Sequence, residues 1–400
     1  MKYLVMLCDG MADLPLADYN NKTPMELAKK PNMDYLAKMG KVGMIKTVPD
    51  GYAPGSDVAN LSCMGFDPKI CYTGRSPLEA ASIGINLGDD DLAFRCNLVT
   101  LSDEENYSDK TMIDYSAGDI SSKDAKILID AVSEKLGTDV ISFYAGVAYR
   151  HCMVLKDTKD TFGTLTPPHD ISDRVIGQYL TDNQLILNLM KKSYDILKNH
   201  PLNLERIKEG KKPANSIWLW GQGTKPLIPN FYNKWGLKGA VVSAVDLIKG
   251  IGKSAGMNVC EVEGATGYID TNFKGKAEKA IDEFKNGADY VYIHVEAPDE
   301  CGHRGETENK IKAIELIDSE ILGRVLPQLN SYDDYKVLLL PDHPTPLSIK
   351  THSSDPVPYL IYQKSKEKDN SLKNFCEKEV SAVGDLLFDG YKIMEEFAKK

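Results

Sequence analysis

The clearest order in the chain is a recurring run of apolar residues that stops at a polar one. Tyr3 to Cys8 is continuous apolar sequence ending in Asp9 and Gly10. The shape returns at Ile217 to Trp220 before Gly221, Ala240 to Val245 before Asp246, Tyr290 to Val295 before Glu296, and Val337 to Leu340 before Pro341 and Asp342. Runs of this kind, lacking the alternation of a half-exposed strand, predict parallel strands buried on both faces. Between them lie helical patterns such as Thr307 to Leu322, where Ile311, Ile314, Ile317 and Ile321 share a face. Strands alternating with helices predict an α/β fold, a mostly parallel sheet covered by helices on both faces. Ligands of such sheets gather beyond the carboxyl ends of the strands, where Asp9, Asp299 and Asp342 follow their runs.

From about Asp91 to Asp173 the texture changes. Short runs (Phe94 to Leu101, Val140 to Ala148, Cys152 to Leu155), one helical stretch (Ser122 to Leu136) and the turn-rich TLTPPHDISD predict a smaller α+β domain. It is expected over residues 91–173, inserted between core segments 1–90 and 174–400 and acting as a substrate-binding lid.

Composition narrows the class. With 400 residues, 42% hydrophobic and 26% charged, the chain reads as a soluble globular enzyme. A formal charge of -10 without a Lys/Arg block argues against nucleic acid. An anionic substrate is still accessible to such a protein if bound divalent metals reverse the local field. The eight scattered cysteines show no CxxC pair, and no segment reaches the roughly 18 apolar residues of a membrane span. The first apolar run is too short for a signal segment, so a cytoplasmic, membrane-free protein is expected.

Three of the seven histidines stand with two aspartates in one 54-residue stretch: Asp299 and His303 in PDECGH, Asp342 and His343 in LPDHP, and His352 in THSSDP. Asp299 and His303, four apart, share a face of any helical turn after Pro298. Alone, that pair reads as an N-cap with a surface histidine; together with Asp342, His343, His352 and the distant Asp9 it reads as two divalent-metal sites. Ser56, after AlaProGly, opens a helix whose N–H groups could hold an anion while the hydroxyl attacks phosphorus, although a serine there is also an ordinary cap. Arg75, Arg95 and Arg150 are forks for phosphate or carboxylate, and Arg150 adjoins His151. Lys249 could reach a phosphate as a point charge or lie on a helix surface. His169 could order a lid hinge, while His200, His294, Trp218 and Trp220 read as structural. GIGKSAG (250–256) follows a helical pattern instead of a strand and is a weak echo of nucleotide loops, so ATP has little support.

With these residues in this order, the chain resembles the alkaline phosphatase superfamily, and within it the archaeal-type cofactor-independent (2,3-bisphosphoglycerate-independent) phosphoglycerate mutases. The motifs carrying the resemblance run nearly end to end: LCDGMAD, APGSDVANLSCMG, TGRSPLEAASIG, FRCNLVTL, IDYSAG, AYRH, PPHDISD, AVDLIKGIG, VEAPDECGH, LPDHPTP and THSSDPVP. The resemblance implies an alkaline phosphatase-like core interrupted by a smaller domain, a phosphoserine intermediate on Ser56, and two divalent ions, Mn²⁺ first, with Zn²⁺, Mg²⁺ or Co²⁺ as alternatives. It implies that Asp9, Asp342 and His343 hold one metal beside Ser56, and that Asp299, His303 and His352 hold the other. Lys249 with Ser56 would then be catalytic, and Arg75, Arg95, Arg150 and His151 would meet a small phosphorylated acid. The activity implied is interconversion of 3- and 2-phosphoglycerate; a homoserine kinase-like phosphotransferase or a metal-dependent phosphomonoesterase is the alternative.

Overall fold

Four of the five apolar runs become strands of one sheet in the computed structural model, which describes residues 1–158 and 162–399. The strand order is Leu386–Leu387, Lys41–Ile45, Val357–Gln363, Tyr335–Leu340, Lys2–Cys8, Tyr290–Val295, Gly239–Val242 and Asn258–Cys260. Val357–Gln363 pairs antiparallel with both neighbours; the other pairings are parallel. Central strands are buried throughout, as their unbroken apolar sequence requires. One face packs against Ala277, Ala280 and Phe284 of the helix Phe273–Lys285 and against Ile314, Ile317 and Ile321. On the other, Tyr3 meets Phe397 with ring centroids 5.6 Å apart and Tyr290 meets Phe231 at 4.7 Å. The expected helix from Thr307 is regular to Leu316, passes through a π-helical turn over Ile317–Leu322 and resumes at Gly323–Leu329.

The sheet belongs to a compact unit of residues 1–72 and 227–400. Its loops at the carboxyl ends of Lys2–Cys8 and Tyr335–Leu340 are fastened to each other from below. Lys310, with a fully buried side chain, donates to Asp13 Oδ2 at 2.7 Å and to the carbonyl of Thr345 at 2.8 Å. Asp13 also accepts the Leu347 N–H at 3.2 Å. Gly10 begins the first loop with φ +61°, and a Cβ there would lie 2.6 Å from the Asp299 Cα. Glycine is therefore required both by conformation and by the close approach of the Asp299 backbone.

The second unit, 73–226, is wider than the expected insert of 91–173. Its antiparallel sheet contains Leu92–Leu101 paired with Arg150–Leu155 and Ser216–Thr224, with Ile141–Val147 beyond Arg150–Leu155 and Met112–Asp114 at the end of Leu92–Leu101. The run at Ile217 to Trp220 is thus an antiparallel strand here, not a member of the parallel sheet. A short strand buried on both faces has the same sequence appearance in either setting. The helices Arg75–Ser82 and Gln184–Leu197 belong to this unit too, which carries its boundaries outward. Ser122–Leu136 is a helix over the expected residues.

The Lys310–Asp13 pair generates a stability prediction. Lys310→Met leaves the Asp13 carboxylate buried without its cation, and should destabilise the protein by about 3–5 kcal/mol in urea unfolding.

Candidate functional site

Asp9 ends the strand Lys2–Cys8, Asp342 and His343 follow Tyr335–Leu340, and Asp299 and His303 sit on the helix Ala297–Arg304 that follows Tyr290–Val295. The parallel order of these three strands brings the residues together. Donor atoms of Asp9, Asp342 and His343 lie within 4.8 Å of one another, as do those of Asp299, His343 and His352. His343 is common to the two groups. His303 joins at the margin, its Nε2 3.3 Å from Asp299 Oδ2 and 2.9 Å from His352 Nε2.

Ser56 is the first residue of the helix Ser56–Cys63, whose cap is Gly55. The serine hydroxyl is 3.2 Å from His343 Nε2. Asn60, one turn later, reaches back to the Ser56 carbonyl and donates to Asp342 Oδ2, both at 2.8 Å, while accepting the Tyr292 hydroxyl at 2.6 Å. Asp342 Oδ1 accepts the N–H groups of Gly10 and His343 at 3.1 and 2.9 Å. Thr345 donates its hydroxyl to Asp299 Oδ1.

The electrostatics set Asp9 apart. Burial, then the carboxylates of Asp342 and Asp299, hold its carboxyl well above the ordinary range. Burial also opposes ionisation of Asp299, but hydrogen bonds from His303 and His352 bring it well below that range. The bond to Asp299 in turn raises His303 to about 9. Asp9 Oδ1 is buried and has no hydrogen-bond partner among the described residues. A buried, crowded carboxylate oxygen with carboxylate and imidazole neighbours is a donor set that fits a divalent cation.

Lys249, on the helix Asp246–Ser254, pairs with Glu261 at 2.8 Å. It lies near enough to act on the buried Lys276 ammonium, which burial pushes down to about 8 while Glu296 resists and Lys249 adds to the fall.

In the second unit, Glu79 organises the arginines. Its carboxylate pairs with Arg75 at 3.0 Å and Arg95 at 2.9 Å, and although burial opposes ionisation, Arg95 and Arg75 hold it below its ordinary range. Arg95 is buried and lies over the Trp220 ring at 4.3 Å, and Trp220 Nε1 donates to Asn97 Oδ1 at 3.0 Å. His169 packs edge-on to Trp220 with centroids 5.3 Å apart. Arg150 is exposed, whereas His151 is buried and accepts the Gly146 N–H at 3.0 Å on Nδ1. Alternation along Arg150–Leu155 puts neighbouring side chains on opposite faces. His151 lies on the face that includes Met153 and Leu155, away from Arg150, and its Nε2 is buried without a hydrogen-bond partner among the described residues.

Several contributors escaped sequence reasoning. His294 and Trp220 read as structural, yet they contact Asp9 and Arg95. Glu79 carried a usable signal, its spacing of four from Arg75 within one helical stretch. Asn60 and Thr345 carried none beyond proximity to ligands.

A serine hydroxyl among carboxylates and imidazoles, at the carboxyl ends of a mostly parallel sheet, defines an α/β enzyme with a divalent-metal donor set. The profile of the 2,3-bisphosphoglycerate-independent phosphoglycerate mutase family matches residues 37–203. A 2,3-bisphosphoglycerate-independent phosphoglycerate mutase of Methanosarcina barkeri is 50% identical over 382 residues, 94% of each chain. Among solved structures, a Pyrococcus horikoshii protein is 30% identical with TM-score 0.83, covering 99% of this chain and 97% of its own. A cofactor-independent phosphoglycerate mutase from Thermoplasma acidophilum is 26% identical with TM-score 0.65, covering 100% of both chains. The chain belongs to the 2,3-bisphosphoglycerate-independent phosphoglycerate mutase family. No helix among the described residues is long and apolar enough to cross a membrane.

The buried histidine yields a pH prediction. Burial pushes His151 from an ordinary value of 6.5 to about 3, so below 6.5 the unfolded chain takes up a proton that the native state refuses. The contribution of this group to stability therefore falls as pH drops from 6.5 towards 3 and is constant above 6.5. In NMR titration the His151 ring should remain neutral from about pH 8 to 5, where an ordinary imidazole becomes charged.

Proposed function

We propose that the protein interconverts 3-phosphoglycerate and 2-phosphoglycerate through a phosphoserine on Ser56, without a bisphosphoglycerate primer. The observation that carries this reading is the Ser56 hydroxyl, 3.2 Å from His343 Nε2 at the first residue of a helix and beside the Asp9, Asp342 and His343 donors. Asp9, Asp342 and His343 would hold one divalent cation, and Asp299, His303 and His352 the other. Mixed carboxylate and imidazole donors suit Mn²⁺ or Zn²⁺ better than Mg²⁺. Such ions supply charge neutralisation for the phosphoryl group and acidify the serine hydroxyl.

In the first half-reaction Ser56 Oγ forms a bond to phosphorus, and the bond from phosphorus to the oxygen on carbon 3 breaks. The serine proton is lost and the departing oxygen gains one, which leaves phosphoserine and glycerate. In the second, the hydroxyl on carbon 2 of glycerate loses its proton and bonds to phosphorus, the bond from phosphorus to Ser56 Oγ breaks, and Ser56 Oγ regains a proton. The N–H groups at the start of the Ser56–Cys63 helix favour an anion there. Lys249 is the proposed point charge for a phosphoryl oxygen. Arg75, Arg95 and Arg150 are the proposed contacts for the acid's carboxylate and phosphate, with Glu79 and Trp220 setting the Arg95 fork. The second unit acts as the lid that keeps water from the phosphoserine. A reduced cytoplasmic setting suits the eight buried thiols.

Ser56→Ala should lower mutase turnover by roughly 10⁴-fold or more and abolish acid-stable phosphoenzyme. Metal content, measured by elemental analysis, should stay near that of the parent protein. Retained turnover in this variant would overturn the covalent route.

A further inference from the structure

Three successive parallel strands end in one buried polar chain. Asp9 follows Lys2–Cys8, His294 is the penultimate residue of its neighbour Tyr290–Val295, and Ser243 follows the next strand, Gly239–Val242. His294 Nε2 lies 2.9 Å from Asp9 Oδ2, and His294 Nδ1 lies 3.3 Å from Ser243 Oγ. Asp9, His294 and Ser243 are 1%, 0% and 2% exposed. All three groups are therefore shielded from bulk solvent.

The protons can be assigned from the network. Ser243 Oγ accepts the Val245 N–H at 3.0 Å and, with an ionised Asp9 Oδ2 as acceptor on the other side of the ring, His294 Nδ1 is assigned as the acceptor of the Ser243 proton. The neutral ring then carries its hydrogen on Nε2 and donates it to Asp9 Oδ2. Lys276 donates to the His294 carbonyl at 2.9 Å and fixes the end of the strand. With Oδ2 engaged, Oδ1 is the Asp9 oxygen left without a hydrogen bond, on the side of His343, whose Nε2 is 3.6 Å away.

A core histidine satisfied for its own sake would need no particular carboxylate oxygen. Here the chain of donors instead sorts the two oxygens of Asp9 into one held and one presented. We propose that His294 is a positioning residue that presents Asp9 Oδ1 to a divalent cation, with Ser243 fixing the ring tautomer that makes this possible. Outer hydrogen bonds of this kind orient a metal ligand and raise its basicity.

The inference rests on the reading of Asp9, Asp342 and His343 as a metal site, and Mn²⁺ binding separates the two. Calorimetric titration, with manganese electron paramagnetic resonance as a second readout, would be run on the full chain and on His294→Phe, His294→Gln and Ser243→Ala. His294→Phe keeps a flat ring but has no donor and should weaken one of two Mn²⁺ sites by about 10–100-fold. His294→Gln, whose amide nitrogen can reach Asp9 Oδ2, should restore most of that loss, and Ser243→Ala should weaken the same site by less. Unchanged affinity in His294→Phe, or equal losses in the Gln and Phe variants, would overturn the inference. If His294→Phe does not fold, Ser243→Ala decides: unchanged affinity of both sites overturns the inference. Failure of the unsubstituted protein to bind Mn²⁺ would overturn the metal reading itself.

Discussion

Asp9, Asp342 and Asp299 are buried carboxylates brought together at the ends of neighbouring strands, and their mutual repulsion is the constraint on which the site depends. Isolated negative charge in so dry a setting is costly. The fold distributes it: Asp342 is saturated by two N–H groups and Asn60, Asp299 by imidazoles and Thr345, and Asp9 is left with one oxygen held and one open. This unequal treatment turns a cluster of acids into a directional donor set. The buried Lys310–Asp13 pair fastens the loops that follow Asp9 and His343.

The parallel core was legible because buried parallel strands must be written as unbroken apolar runs, and four of those runs stand in the large sheet in the expected manner. Their polar terminators also placed Asp9 and Asp342 correctly at the strand ends. The same signal misplaced Ile217 to Trp220, because an apolar strand of the smaller sheet is equally buried and hydrophobicity carries no record of strand direction. The smaller unit's boundaries were hidden for a related reason. Its outer helices, Arg75–Ser82 and Gln184–Leu197, have ordinary amphipathic sequences that do not reveal which sheet they cover.

At the site, clustering of ligands in sequence exposed the metal-type residues, whereas the groups that orient them were spread over distant segments. His294 sits inside an apolar strand and Asn60 inside a helix, so each looked like a core position until tertiary pairing joined it to an aspartate. Adjacency in sequence also hid a difference between Arg150 and His151, because strand alternation turns one to solvent and buries the other. Family membership supplies the chemical context, and the arrangement about Ser56 gives it a physical basis: one hydroxyl beside carboxylate and imidazole donors, while in the second unit Glu79 pairs with Arg75 and Arg95.

The central claim is transfer of phosphoryl within one substrate through an enzyme group, and ³¹P NMR of the Mn²⁺-loaded protein with 3-phosphoglycerate and no ATP tests it most directly. The account predicts a growing 2-phosphoglycerate resonance that settles into equilibrium with 3-phosphoglycerate, with little inorganic phosphate. Accumulation of inorganic phosphate without 2-phosphoglycerate, or no reaction until ATP is added, would contradict it.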